Sequence, residues 1–168
     1  MIDGSDAGST QLDKVTPLDL IDRGIVTALR GDGRLSIRAL AAQLNISRAT
    51  AYARVQRLEQ SGVITGYTAT INPQRCGYGV SAYVYLKISQ RSWKSVQQRV
   101  ASIPEVEHAA LVAGEKDIVL LVRAQDTAGL RDLVLTQFHE MPDVLSTETV
   151  LIFEELPLSP AQRQEPRR

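Results

Sequence analysis

Apolar residues recur at helical spacing three times in the first third of the chain, and beyond that point the pattern changes to alternating and continuous apolar runs. Leu18, Ile21, Ile25, Val26 and Leu29 form the buried stripe of a first helix. Its start is expected near Thr16 and Pro17: threonine caps, proline suits a first turn, and Asp19 and Asp22 lie toward the positive helix end. Gly31 and Gly33 end it. A second helix carries Ile37, Leu40, Ala41 and Leu44, with Ser36 as its cap. Asn45 tolerates the left-handed backbone of a sharp exit, Ile46 turns inward as a plug, and Ser47 caps a third helix. At ~100° per residue, Ala51, Val55 and Leu58 of that helix face the core, while Thr50, Ala53, Arg54 and Arg57 face outward, flanked by Arg48 and Tyr52. After Gly62, the residues Val63, Ile64, Gly66, Tyr67, Ala69 and Ile71 predict a short strand or wing, ended by Asn72 and Pro73.

Residues 82–89 alternate in strand fashion, and Ser92 caps a helix with Trp93, Val96, Val100 and Ile103 inward. Residues 106–113 and 117–124 are two strands around Gly114. Asp126 or Thr127 caps a further helix that buries Leu130, Leu133, Val134, Phe138 and Met141, and residues 144–153 form the last strand. The order βαββαβ is that of a ferredoxin-like unit, with two helices on one face of a four-stranded antiparallel sheet. The expected class is therefore α+β: a loose leader (1–15), a winged helix-turn-helix (16–72), a connector (73–80), a ferredoxin-like domain (81–156) and a disordered tail (157–168). Both parities of the first strand are apolar (Ala82, Tyr83, Val84, Tyr85, Leu86, Ile88), so the sheet face without helices needs a cover. A second copy supplies one, and a twofold dimer presents two helix-turn-helix units to a palindromic site.

Charge sharpens the picture. Residues 33–58 hold five arginines (Arg34, Arg38, Arg48, Arg54, Arg57) and no acid. Residues 14–75 carry nine basic and four acidic side chains, whereas residues 76–156 carry seven and eleven. The chain is neutral as a whole, so this asymmetry points one half toward double-stranded DNA. Ser47, Arg48, Thr50, Tyr52, Arg54 and Arg57 are the candidate DNA-binding residues: slim side chains let a helix sink into the major groove, and arginines read guanine edges or hold phosphates.

With 168 residues, 43% apolar and 23% charged, the composition is that of a folded soluble protein. No apolar run has spanning length and residues 1–14 lack a hydrophobic segment, so a cytoplasmic protein without a membrane partner is expected. Cys76 is a single cysteine, and His108 and His139 have no metal-ligand spacing and no nucleophile or acid at motif distance. Neither metal nor catalytic residues are expected. Two alternatives share the βαββαβ order: a small ferredoxin-like enzyme, and an RNA-binding module. The second needs exposed aromatics on the central strands and a basic sheet face; the strand DIVLLVRA has no aromatic and its domain is net acidic.

The stretch LDLIDRGIVTALRGDGRLSIRALAAQLNISRATAYARVQRLEQSGVITGYTATINP (18–73), with its GVIxGY passage, and VAGEKDIVLLV (112–122) resemble the Lrp/AsnC, or feast/famine, regulators of bacteria and archaea. The resemblance covers most of the chain. It implies a DNA-binding domain followed by a regulatory domain that dimerises and assembles further into tetramers or octamers. It also implies an amino acid or related small molecule as effector, and no other cofactor. The effector would lie between regulatory domains near Gly114, Glu115, Lys116 and Asp117, with Asp117 meeting an α-ammonium group and Thr147 and Thr149 offering hydroxyls. Lys116 departs from the family, which usually has an aromatic or bulky neutral residue there; a lysine either pairs with Asp117 or Glu115 and fills the site, or holds an effector carboxylate. Read without the resemblance, residues 114–117 also fit a plain hairpin turn.

Overall fold

The computed structural model describes residues 17–89 and 93–156. The chain divides between Ala69 and Thr70 into two compact units, ahead of the expected boundary at Asn72.

The first unit holds α1 (Leu20–Gly31), α2 (Ile37–Gln43) and α3 (Arg48–Gln60). α1 starts later than the sequence pattern places it. Asp19 is its cap, its carboxylate accepting the Asp22 N–H at 2.8 Å, so Pro17 precedes the helix and Thr16 lies outside the described residues. A short carboxylate in extended backbone satisfies a free N–H of the first turn, which Pro17 cannot do. Ser36 and Ser47 cap α2 and α3 as expected, accepting from the N–H groups of Ala39 and Thr50. Between them Asn45 takes φ 54°, and the Ile46 N–H donates to the Ala41 carbonyl. Ile25, Ala28, Leu40, Val55 and Leu58 form the core of this unit.

No strand forms over residues 63–71. The segment is held instead by anchors to α3: the Ile64 N–H donates to the Leu58 carbonyl, Ile64 packs on the core, and the Tyr67 hydroxyl donates to Glu59 at 2.8 Å. A strand needs a ladder partner, and among the described residues none pairs with this segment.

The second unit contains β1 (Val80–Ile88), α4 (Trp93–Val100), β2 (Val106–Leu111), β3 (Ile118–Ala124), α5 (Thr127–Leu133) and β4 (Val144–Ile152). The sheet order is β2-β3-β1-β4 and every pairing is antiparallel, the ferredoxin-like arrangement. Asp126 caps α5, which continues as a π-helical turn over Val134–Phe138. There the Thr136 hydroxyl donates to the Asp132 carbonyl at 2.7 Å, a back-bond that competes with the regular helical ladder. Alternate residues of the central strands (Ala82, Val84, Leu86; Ile118, Leu120, Val122) pack under Val96, Val100, Leu130, Leu133 and Phe138. Trp93, expected in this core, is 40% exposed at the start of α4, with the Lys94 ammonium 5.7 Å from its ring. Ser92, its expected cap, lies outside the described residues.

The other sheet face keeps its apolar side chains in view. Tyr83 and Val150 are direct cross-strand partners, 42% and 45% exposed, and the Tyr85 ring centre is 6.4 Å from that of Tyr83. Arg123 is buried on this face, tied to Glu107, Glu155 and the Ser81 hydroxyl.

Gly79 leads into β1 so closely that an added Cβ would lie 2.5 Å from the Gln125 carbonyl oxygen, while its own N–H donates to that oxygen. Because backbone has to move to admit a methyl group, Gly79→Ala is expected to cost about 1–3 kcal/mol in the second unit, read as a lower melting temperature.

Candidate nucleic-acid interface and ligand site

In the first unit the solvent side of α3 carries Arg48, Ala49, Tyr52, Ala53 and Gln56, all exposed. Ala51, Val55 and Leu58 are buried beneath them. Slim alanines between an arginine, a tyrosine and a glutamine make a surface that can approach base edges closely. Arg34, Arg38 and Arg48 are exposed and make no ion pair among the described residues. Thr50 sits in the first turn, its hydroxyl 2.8 Å from that of Ser47.

Arg54 does not project outward. On the helical wheel it lies about 60° from Ala51, on the flank of the buried stripe rather than opposite it. Its guanidinium is at α1, paired with Asp19 and with Asp22 at 3.0 Å, and the side chain is only 24% exposed. Arg57 reaches the same acid, its Nη2 lying 2.5 Å from Asp22 Oδ2, yet remains 58% exposed. Asp22 itself is 3% exposed. The sequence pattern places this acid only as a charge toward the positive helix end and misses its burial. Ala49 and Gln56, both on the side of the wheel away from the buried stripe, are the exposed positions the outward set leaves out.

The Arg54 guanidinium, followed by the Asp22 N–H, holds the Asp19 carboxyl below the ordinary carboxylate range, and Asp19 and Asp22 raise Arg54 in turn. A carboxyl depressed in the folded state contributes stability that is complete above its unfolded value, near the reference of 3.8, and lost as pH falls through its folded value. The first unit is therefore expected to melt at progressively lower temperature as acidification passes below that reference, and Asp19→Asn is expected to flatten that part of the profile. Thermal melts of wild type and variant across the acid range check this.

In the second unit the ends of β1, β2, β3 and β4 meet around an open cleft of about 550 Å³. Trp93, Leu111, Val112 and Leu145 form apolar walls, and Lys87 and Asp117 supply opposite charges. Asp117 accepts from the Ile88 N–H at 2.9 Å and from the Lys87 ammonium at 3.1 Å; the first of these, then the second, holds its carboxyl below the usual range. Its own N–H donates to Leu86, beside the irregularity in β1–β4 pairing at Lys87 and Ile88.

Of the sequence-selected ligand residues, Asp117 lines this cleft and the others do not. Gly114 takes φ 143° in an exposed turn beside exposed Glu115. Lys116 pairs with Glu148 at 3.1 Å, not with its expected partners Glu115 or Asp117; Asp117 pairs with Lys87 instead. Thr147 lies 3.3 Å from His139 Nδ1, and Thr149 is exposed on the same parity of β4. The residues missed are Lys87 and Trp93. A lone lysine closing the otherwise apolar alternation of β1 is the signal for the first; nothing in the helical pattern separates Trp93 from a core position.

A family model described as the Lrp/AsnC ligand binding domain matches residues 81–161, and one described as a winged helix-turn-helix DNA-binding domain matches residues 18–65. The HTH-type transcriptional regulator AldR of Mycolicibacterium smegmatis is 36% identical over 152 residues, 89% of this chain and 89% of its own length. The leucine response regulatory protein LrpA of Mycobacterium tuberculosis has a solved structure that superposes with a TM-score of 0.70 at 36% identity, covering 82% of this chain and 94% of that one. A Neisseria meningitidis transcriptional regulator solved as its L-Met complex matches with a TM-score of 0.79 over 85% of this chain and 94% of its own, a likeness of fold at 23% identity.

Proposed function

The chain belongs to the Lrp/AsnC family of transcriptional regulators, and we propose from this that it binds operator DNA as a twofold dimer whose grip an amino-acid-like effector adjusts. The observation that carries the DNA reading is the acid-free run 33–58, whose Arg34, Arg38 and Arg48 stand exposed around α3. Arg48, Tyr52 and Gln56 face the groove; Thr50 and Ser47 serve the helix start, where N–H groups and partial positive charge favour a phosphate. Arg57 reaches a guanine edge from the flank, and Arg54 supports α3 from behind.

Two copies join through the open sheet face, whose Tyr83, Val150 and neighbouring apolar groups form the patch that needs a cover. The effector binds at the Lys87–Asp117 end of the sheet, where Asp117 follows the turn at Gly114 and lines the cleft, and Thr147 and Thr149 lie on an edge strand paired with β1. The Neisseria relative solved with L-Met supports an amino acid as the class of ligand. No described helix is long and apolar enough to cross a membrane, in keeping with a cytoplasmic regulator, and we read the chain as a binding protein and not an enzyme.

An RNA-binding role is less well supported. Tyr83 is exposed on a central strand, but Glu107, Glu148 and Glu155 surround that face and its one arginine, Arg123, is buried and neutralised by two of them.

Selection of duplexes from a random pool, followed by titration at rising salt, tests the DNA reading: an enriched sequence whose binding weakens steeply with salt is expected, and preference for single-stranded RNA refutes it. A thermal-shift screen of the twenty amino acids, followed by DNA binding in the presence of the hit, tests the effector reading. No stabilisation by any of them refutes it.

A further inference from the structure

We infer that Asp22 is a positioning residue for DNA recognition: it does not touch DNA, but it holds the Arg57 guanidinium in one orientation with its unpaired edge turned to solvent on the flank of α3. The assignment rests on the DNA-binding reading above and adds to it a residue from a different helix.

Asp22 is 3% exposed, so it is out of reach of a nucleic acid. Both of its oxygens are used, and by different arginines: Oδ1 accepts from Arg54 Nη1 at 3.0 Å and Oδ2 from Arg57 Nη2 at 2.5 Å. Arg54 and Arg57 are three residues apart on α3, hence neighbours on one side of the helix. Their surroundings then diverge. Arg54 has a second acid, Asp19, and a mostly covered side chain; it is consumed by the α1–α3 seam. Arg57 commits Nη2 to Asp22 while 58% of its side chain remains open to solvent, and a guanidinium offers five N–H donors in a fixed plane. Tying one edge of that plane fixes the direction of the other. A long side chain that is already ordered loses less freedom when it meets a phosphate or a guanine edge.

The test is a double-mutant cycle on the full chain, using the duplex that wild-type protein enriches from a random pool and a scrambled duplex of equal length. Asp22→Asn keeps the shape and removes the charge. It is expected to weaken the enriched duplex about tenfold and to leave the scrambled one within about twofold; Arg57→Ala, which also removes a cation, is expected to weaken the enriched duplex at least as much and the scrambled one clearly less. The double variant is expected to bind no worse than Arg57→Ala alone, because Asp22 reaches DNA through Arg57, while Arg54 is still held on α1 by Asp19. Losses that add, an equal loss on both duplexes, or tighter binding by Asp22→Asn each overturn the assignment. Should Asp22→Asn fail to fold, Arg57→Lys decides. It keeps the charge without the planar fork, so it is expected to match wild type on the scrambled duplex and Arg57→Ala on the enriched one; wild-type affinity on the enriched duplex overturns the proposal. A wild-type chain that enriches no duplex refutes the DNA-binding reading together with this assignment, whereas binding with additive losses refutes this assignment alone.

Discussion

Val150→Arg is expected to convert the protein to a monomer and to lower its apparent affinity for a two-half-site duplex by about 10²-fold or more. Val150 is the cross-strand partner of Tyr83 in the middle of the open sheet face, and both side chains are roughly half exposed in the single chain. A guanidinium at this point of a sheet-to-sheet contact meets apolar groups and, by twofold symmetry, approaches its own copy; burying an unpaired charge costs several kcal/mol. The second unit should remain folded, because the substitution projects away from the helices that pack on the opposite face. Each copy then holds one half-site, and the gain from binding the second half-site within the same complex disappears. Sedimentation velocity gives the mass and a gel-shift titration the affinity. A dimeric Val150→Arg protein would place the self-contact elsewhere, and a monomer that still binds the duplex at wild-type affinity would remove the need for two copies.

Leu40→Ala is expected to unfold the first unit while leaving the second intact. Leu40 has no exposed surface and sits among Ile25, Ala28, Val55 and Leu58. Truncating a buried leucine costs about 2–5 kcal/mol. A unit of this size has a total of only about 3–8 kcal/mol at the usual stability per residue. The loss therefore takes most of the margin, and the variant should bind no duplex. Calorimetry is expected to show the transition of the second unit unchanged, with the first shifted far down or missing, and the protein still dimeric. Leu20→Ala, at an 85% exposed site on α1, should be within about 0.5 kcal/mol of wild type. Loss of both transitions in Leu40→Ala would show that the two units do not fold separately.

The βαββαβ order, the helix-turn-helix and most core positions were legible because burial imposes periods of 2 and 3.6 on residues that are neighbours in sequence. Ser36, Ser47 and Asp126 were readable as caps for the same reason, since each bonds an N–H three residues on. Asp22 was not. Its burial depends on Arg54 and Arg57, more than thirty residues away, and an acid inside an apolar stripe has no local mark that distinguishes it from a solvated one. The outward placement of Arg54 failed on a local point, its position beside Ala51 on the wheel, where a long side chain reaches the neighbouring helix. At the candidate ligand site the turn around Gly114 was visible and the cleft was not, because Lys87, Trp93, Leu111 and Asp117 converge only when four strand ends and a helix start come together. Lys116 illustrates the same limit: its partner is neither Glu115 nor Asp117 beside it but Glu148, on a strand that pairs with β1.

The tether from Tyr67 to Glu59 has a mechanical consequence. Glu59 lies in the last turn of α3, so the segment beyond Gly62 is bolted to the same rod that carries Arg48 and Tyr52. Any tilt of α3 therefore carries residues 63–67 through the same arc as Arg48 and Tyr52, and the two segments shift in step.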